Sequence, residues 1–170
     1  MFQMTESDPA GGGILWRGLA GIQRGVLAGL AMLAWFSLAS ALLRQSLWVA
    51  PNLFGMLVDE NAPFQQGFGR TALAGLALVV FVGGLVGALF ALATSAVRSR
   101  RRLLLMGILV GVVGFYFSNA VVFRKLGAVA WVYSSPRSLL VAHLLFGIVL
   151  GSQPARPEAS PPAPGAGGED

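Results

Sequence analysis

The sequence predicts an all-α polytopic membrane protein, a four-helix transmembrane bundle with disordered tails. Three observations carry this. The chain is 55% hydrophobic and only 11% charged, with a mean hydropathy of +0.71, whereas an ordinary soluble domain is about 25% charged. Four apolar runs are separated by short basic or turn-rich connections. The connection after the second run holds Arg98, Arg100, Arg101 and Arg102, and such a block marks the cytoplasmic flank of a span.

Residues 1–13 contain Glu6, Asp8 and Gly11 to Gly13 and are expected to form a flexible tail. A cleavable signal peptide is not expected, because the first 16 residues hold no lysine or arginine and a signal peptide starts basic. Trp16 suits the membrane interface. Residues 14–24 either lead into the first span or lie on the surface as a short amphipathic helix.

Helix 1 is expected over about 19–43. Val26 to Leu43 is an uncharged run of 18 residues, enough for a candidate span. Gly21, Gly25 and Gly29 fall four apart, on one helical face.

Residues 46–66 form the longest connection, and it is more apolar than a free loop. Pro51 can start a short helix and Asn52 can cap a turn. The segment lies on the membrane surface, anchored by Trp48 and Phe54, or it caps a cleft between helices. Both readings stay open at this level.

Helix 2 is expected over about 71–97, with Gly75, Gly83, Gly84 and Gly87 as its seam. Helix 3 is expected over about 103–122, with Gly107, Gly111 and Gly114 on one broad face. Helix 4 is expected over about 134–151, with Ser135 as N-cap and Pro136 at the first helical position. One kinked helix from Gly127 is the alternative. Gly147 and Gly151 give this helix its own small pair. Small residues four apart let helix backbones approach closely in lipid. The spans form one membrane domain, residues 14–151. Residues 152–170, rich in proline and glycine, are expected to be a disordered tail.

Four spans put both tails on one side. That side carries Arg17, Arg24, Arg98, Arg100, Arg101, Arg102 and Arg156; the other carries Arg44, Arg70, Arg124, Lys125 and Arg137. Both termini are therefore expected in the cytoplasm. The size and span count resemble those of small bacterial inner-membrane proteins, and that resemblance implies location alone.

Chemistry is sparse. There is no cysteine and one histidine, so no thiol chemistry and no metal cluster are expected. The net charge of +5 sits beside the apolar ends, which suits orientation in lipid and not nucleic-acid binding. Asp59 and Glu60 are the carboxylates outside the tails and read as a solvated outer-loop pair. His143 lies well inside the fourth run, and an ionisable group there is a site candidate by default. Its expected neighbours are Ser118, Asn119 and Tyr116. It forms an interhelical hydrogen bond or, less simply, an axial ligand to a haem or chlorin metal; no cofactor is expected.

The functional expectation is a non-enzymatic accessory or scaffold component of a membrane assembly. Its partners would be the lipid bilayer, a second copy, or other membrane proteins. Alternatives are a small-solute transporter or channel lined by Ser37, Ser40, Ser118, Asn119 and His143, and a membrane enzyme using His143 with Asp59 or Glu60.

Overall fold

The computed structural model describes residues 9–59, 61–122 and 136–152. Its elements are helical: α1 (Pro9–Leu42), α2 (Val49–Gly55), a 3-10 turn (Ala62–Phe64), α3 (Arg70–Ala93), α4 (Arg100–Phe117) continued by a π turn (Ser118–Val122), and α5 (Pro136–Gly151). Among the described residues, three helices are long and apolar enough to cross a membrane: Gly13–Leu42, Arg70–Ala93 and Arg100–Val121. The chain is an all-α, multi-pass membrane protein. The 16 residues of α5 are apolar but reach about 24 Å at 1.5 Å per residue, short of a hydrocarbon core of about 30 Å.

The ends of the helices differ from the sequence expectations for local reasons. α1 starts at Pro9, a residue whose missing N–H suits a first turn, and it continues unbroken through Gln23 and Arg24. α3 stops at Ala93, four residues before Val97, where the Thr94 hydroxyl donates to Phe90 O at 2.7 Å. α4 starts within the arginine block, at Arg100. The expected start of the fourth helix at Ser134, its alternative at Gly127, Glu60, and the tails over 1–8 and 153–170 lie outside the described residues.

α1 closes with a left-handed residue. Arg44 has φ 58°. Gln45 N–H donates to Ser40 O at 3.0 Å, and Arg44 N–H to Ala41 O at 2.9 Å. This is the Schellman pattern, which satisfies the last carbonyls of a helix and normally uses glycine at the left-handed position.

The helices form an arc in the order α3, α1, α5, α4, with α2 laid on α3. α1 and α3 run antiparallel, since Gly21 faces Gly87, Gly25 faces Gly83, and Gly29 faces Val79. α4 and α5 repeat the arrangement: Gly107 faces Gly147 and Gly151, and Gly111 faces His143 and Gly147. At these crossings backbone meets backbone. A methyl built on Gly83 would sit 2.6 Å from Gly25 O, and one on Gly25 would overlap Gly83 O.

α1 and α5 are joined at both ends. Trp35 Nε1–H points at Ser138 O and Oγ, each at 3.2 Å. Arg24 donates to Ser152 O at 3.3 Å, placing a cation at the negative C-terminal end of α5. One end of the molecule thus gathers Arg24, the end of α3, the arginine-rich start of α4 and the end of α5.

Candidate functional site

α3 and α4 are neighbours in sequence, yet they do not pack along their length. The gap between them is a cleft of about 540 Å³. α1 and α5 form its back wall with Met32, Phe36, Leu139 and Phe146; valines of α3 and α4 form its sides. At the arginine end, Val86, Val110 and Phe146 close it against the core of Ala28, Phe90 and Leu150. At the other end α2 roofs it through Val49, Ala50, Leu53 and Phe54. The mouth lies between α3 and α4, where Val82, Val113 and Phe117 are 47%, 59% and 61% exposed. The cleft therefore opens sideways, towards the space that lipid occupies around a multi-pass protein.

The roof is built from the long connection, which takes the capping arrangement. Phe54 turns inward, with its ring centroid 6.0 Å from that of Phe36. Trp48 packs against Phe68, the ring centroids 4.8 Å apart and the planes tilted by 55°. Behind them is a polar clasp. Asn52 is wholly buried; its Nδ2 donates to Gln65 O at 2.7 Å and Gly67 O at 3.1 Å. Those carbonyls can only accept, so Asn52 Oδ1 is the acceptor for the Thr71 hydroxyl at 2.7 Å. The Gln65 side-chain amide lies 2.8 Å from the same Thr71 oxygen. Thr71 has one proton, already given to Asn52, so Gln65 meets it with its NH2 group. Gly55 and Gly75 let α2 settle onto α3, since a methyl on either would strike backbone, at Thr71 O and Pro51 O respectively.

Three polar side chains reach the cleft: Ser40, Ser118 and His143. His143 is 8% exposed. Its Nδ1 lies 2.9 Å from Leu139 O and its Nε2 3.0 Å from Ser118 Oγ. A carbonyl accepts only, so Nδ1 carries the proton; in the neutral ring, which burial without a carboxylate among the described lining residues favours, Nε2 accepts from the Ser118 hydroxyl. Phe115 stands edge-on to the ring at 6.3 Å. Ser118 opens the π turn, a feature that recurs at functional positions. Ser40 is 4% exposed, and its hydroxyl makes no hydrogen bond among the described residues.

Of the polar patch expected around His143, the structure brings Ser118 to the ring. Tyr116 points away from it, 65% exposed and against Phe115 at 5.3 Å. Asn119 is half-buried and outside the cleft lining. Asp59 Oδ1 accepts from Asn61 N–H at 2.9 Å and is not part of the cleft wall. Among the described residues, no group of three or more His, Asp or Glu side chains is placed to hold a metal ion. The Asn52–Thr71–Gln65 clasp was missed from sequence; a polar residue directly after Pro51 in an apolar stretch was its only signal.

No family model, no curated protein and no solved structure matches the chain.

Proposed function

We propose that this is a non-enzymatic integral membrane protein, an accessory or scaffold component of a membrane assembly. The observation that carries this reading is the character of the cleft, which is lateral and apolar rather than axial and polar. A path for polar solutes needs hydrogen-bonding groups or charges along its length, and among the described residues polar groups line the cleft only near the roofed end.

In this reading α5 completes a four-helix bundle by crossing a locally thinned or tilted bilayer, with Arg137 reaching for headgroups. The Gly-x-x-x-Gly faces hold α1 to α3 and α4 to α5. The termini lie on the cytoplasmic side of a bacterial inner membrane. Arginines in the first turn of α4 support that side: they oppose the helix dipole, by about 0.3–1 kcal/mol each, so helix stability does not explain them and orientation does. The outer faces, with Phe81, Leu85 and Leu89 on α3 and Leu105 and Leu109 on α4 exposed, are available to lipid, a second copy or other membrane proteins.

Purification in mild detergent followed by mass spectrometry of bound proteins tests the reading. A stable partner or self-association is the expected result. Recovery only as a solitary monomer would sink it. Reporter fusions at both termini should report the same side; opposite sides would remove the four-span arrangement. The rival, a small-solute transporter, draws on the presence of Ser40, Ser118 and His143 in one cleft. Solute flux into liposomes that is lost on His143→Ala, with the fold intact, would establish it instead.

A further inference from the structure

We propose that the α3–α4 cleft binds one neutral, single-chain amphiphile of the bilayer whose head is a hydroxyl, a long-chain alcohol. The size is right for a small-molecule site, about 300–1,000 Å³ against about 540 Å³ here. The walls are hydrocarbon, the floor is closed, and the mouth faces lipid. An apolar chain from the membrane enters without crossing water.

The head is specified by charge and by hydrogen-bond direction. Among the described residues, no Lys, Arg, Asp or Glu lines the cleft, and a carboxylate or phosphate entering beside those residues would lack a counter-ion, which is strongly unfavourable. Ser118 has spent its proton on His143 Nε2, because Nδ1–H is committed to Leu139 O. Ser118 Oγ therefore offers only lone pairs to a ligand. Ser40, buried and without a hydrogen bond among the described residues, offers a proton and lone pairs. A hydroxyl can donate to Ser118 Oγ or exchange a hydrogen bond with Ser40 Oγ, whereas a ketone or ester carbonyl can use Ser40 alone.

Depth agrees with this polarity. Ser118 lies 18 residues along its helix from Arg100, about 27 Å, close to the full thickness of the hydrocarbon core. Ser40 is two residues from the end of α1. The polar groups thus sit near the interface opposite the arginines, with the apolar walls running inward from them. That is how an amphiphile of that leaflet is arranged.

The test uses the full chain in lipid nanodiscs and a diazirine-bearing analogue of hexadecanol. Photolabelling should concentrate on Val82, Val113 and Phe117 and be competed by unlabelled hexadecanol. The matching diazirine fatty acid should label there on the order of tenfold more weakly, and a diazirine phosphatidylcholine should label outer helix faces instead. Ser40→Ala and Ser118→Ala should each weaken competition about fivefold, the worth of one hydrogen bond. Val113→Trp should block labelling; where that variant does not fold, Ser40→Ala, which barely alters volume, decides. Equal labelling by all three probes, no loss in the serine variants, or an adduct joining two copies through the cleft would overturn the proposal. The result is separable from the scaffold reading, because a solitary monomer that still takes up the alcohol defeats only the latter.

Discussion

The Thr71 hydroxyl donates to Asn52 Oδ1 across 2.7 Å, and this bond ties the roof of the cleft to the first turn of α3. Asn52→Ala takes the donor from Gln65 O and Gly67 O, in part-buried bonds, and the acceptor from the buried Thr71 hydroxyl. The expected loss is about 3 kcal/mol, read as a lower thermal midpoint in detergent. Thr71→Val should cost less, about 1–2 kcal/mol, because Asn52 keeps both of its donated bonds. Equal midpoints for Asn52→Ala and the parent chain would show that α2 is held by apolar packing alone.

Glycines on α1 should differ sharply in their tolerance. Gly25→Ala drives a methyl into Gly83 O and to 2.7 Å from Gly87 Cα. Backbone cannot give way cheaply, so about 1–3 kcal/mol should be lost. Gly18 has nothing within 4 Å of a built Cβ, and Gly18→Ala should stabilise α1 by up to about 1 kcal/mol through helix propensity. Gly29→Ala should fall between them, since its nearest neighbours are Val79 Cγ1 and Val79 O, both at 3.1 Å. Thermal unfolding of the three variants side by side checks the order.

Arg44 carries a removable strain. A non-glycine residue in the left-handed region costs roughly 1–2 kcal/mol. Arg44→Gly should raise stability by about 1 kcal/mol while keeping the Schellman bonds at the end of α1. Arg44→Val should lower it, because a β-branched residue fits φ 58° worse still. Hydrogen-exchange protection at the Gln45 amide, which donates to Ser40 O, reports the same change locally.

His143 should be a neutral ring protonated at Nδ1. Nitrogen-15 spectra of histidine-labelled protein should show one protonated and one bare ring nitrogen, the bare one being Nε2. Ser118→Ala should move the Nε2 resonance and leave Nδ1 nearly in place, as Leu139 O still accepts its proton. A proton found on Nε2 would reverse the hydrogen-bond directions assigned to the cleft.

Three long apolar helices were legible because lipid imposes long apolar runs, and these leave an unbroken mark in the sequence. The pairing of Ser118 with His143 was legible as a pairing of the polar residues left over. The cleft itself was not. It arises because α3 and α4, joined by a short connection, do not pack along their length, and no residue pattern announces a missing contact. The clasp was equally hidden: Asn52, Gln65 and Thr71 have no helical or strand period, and they meet only once α2 folds back onto α3. The start of α1 at Pro9 was missed because three consecutive glycines argue for a loop on propensity alone.

α5 has one more consequence, for the order of synthesis. It is the last described helix to leave the ribosome, yet it lies between α1 and α4 and is the principal packing partner of α4. α1 and α3 can close their glycine seam as soon as both are made. α4 must wait in the bilayer, its own small-residue face uncovered, until Pro136–Gly151 is translated and slots into place. A nascent chain arrested before Pro136 therefore holds a finished hairpin and an orphan helix, and it is this interval in which membrane quality control has a target to recognise.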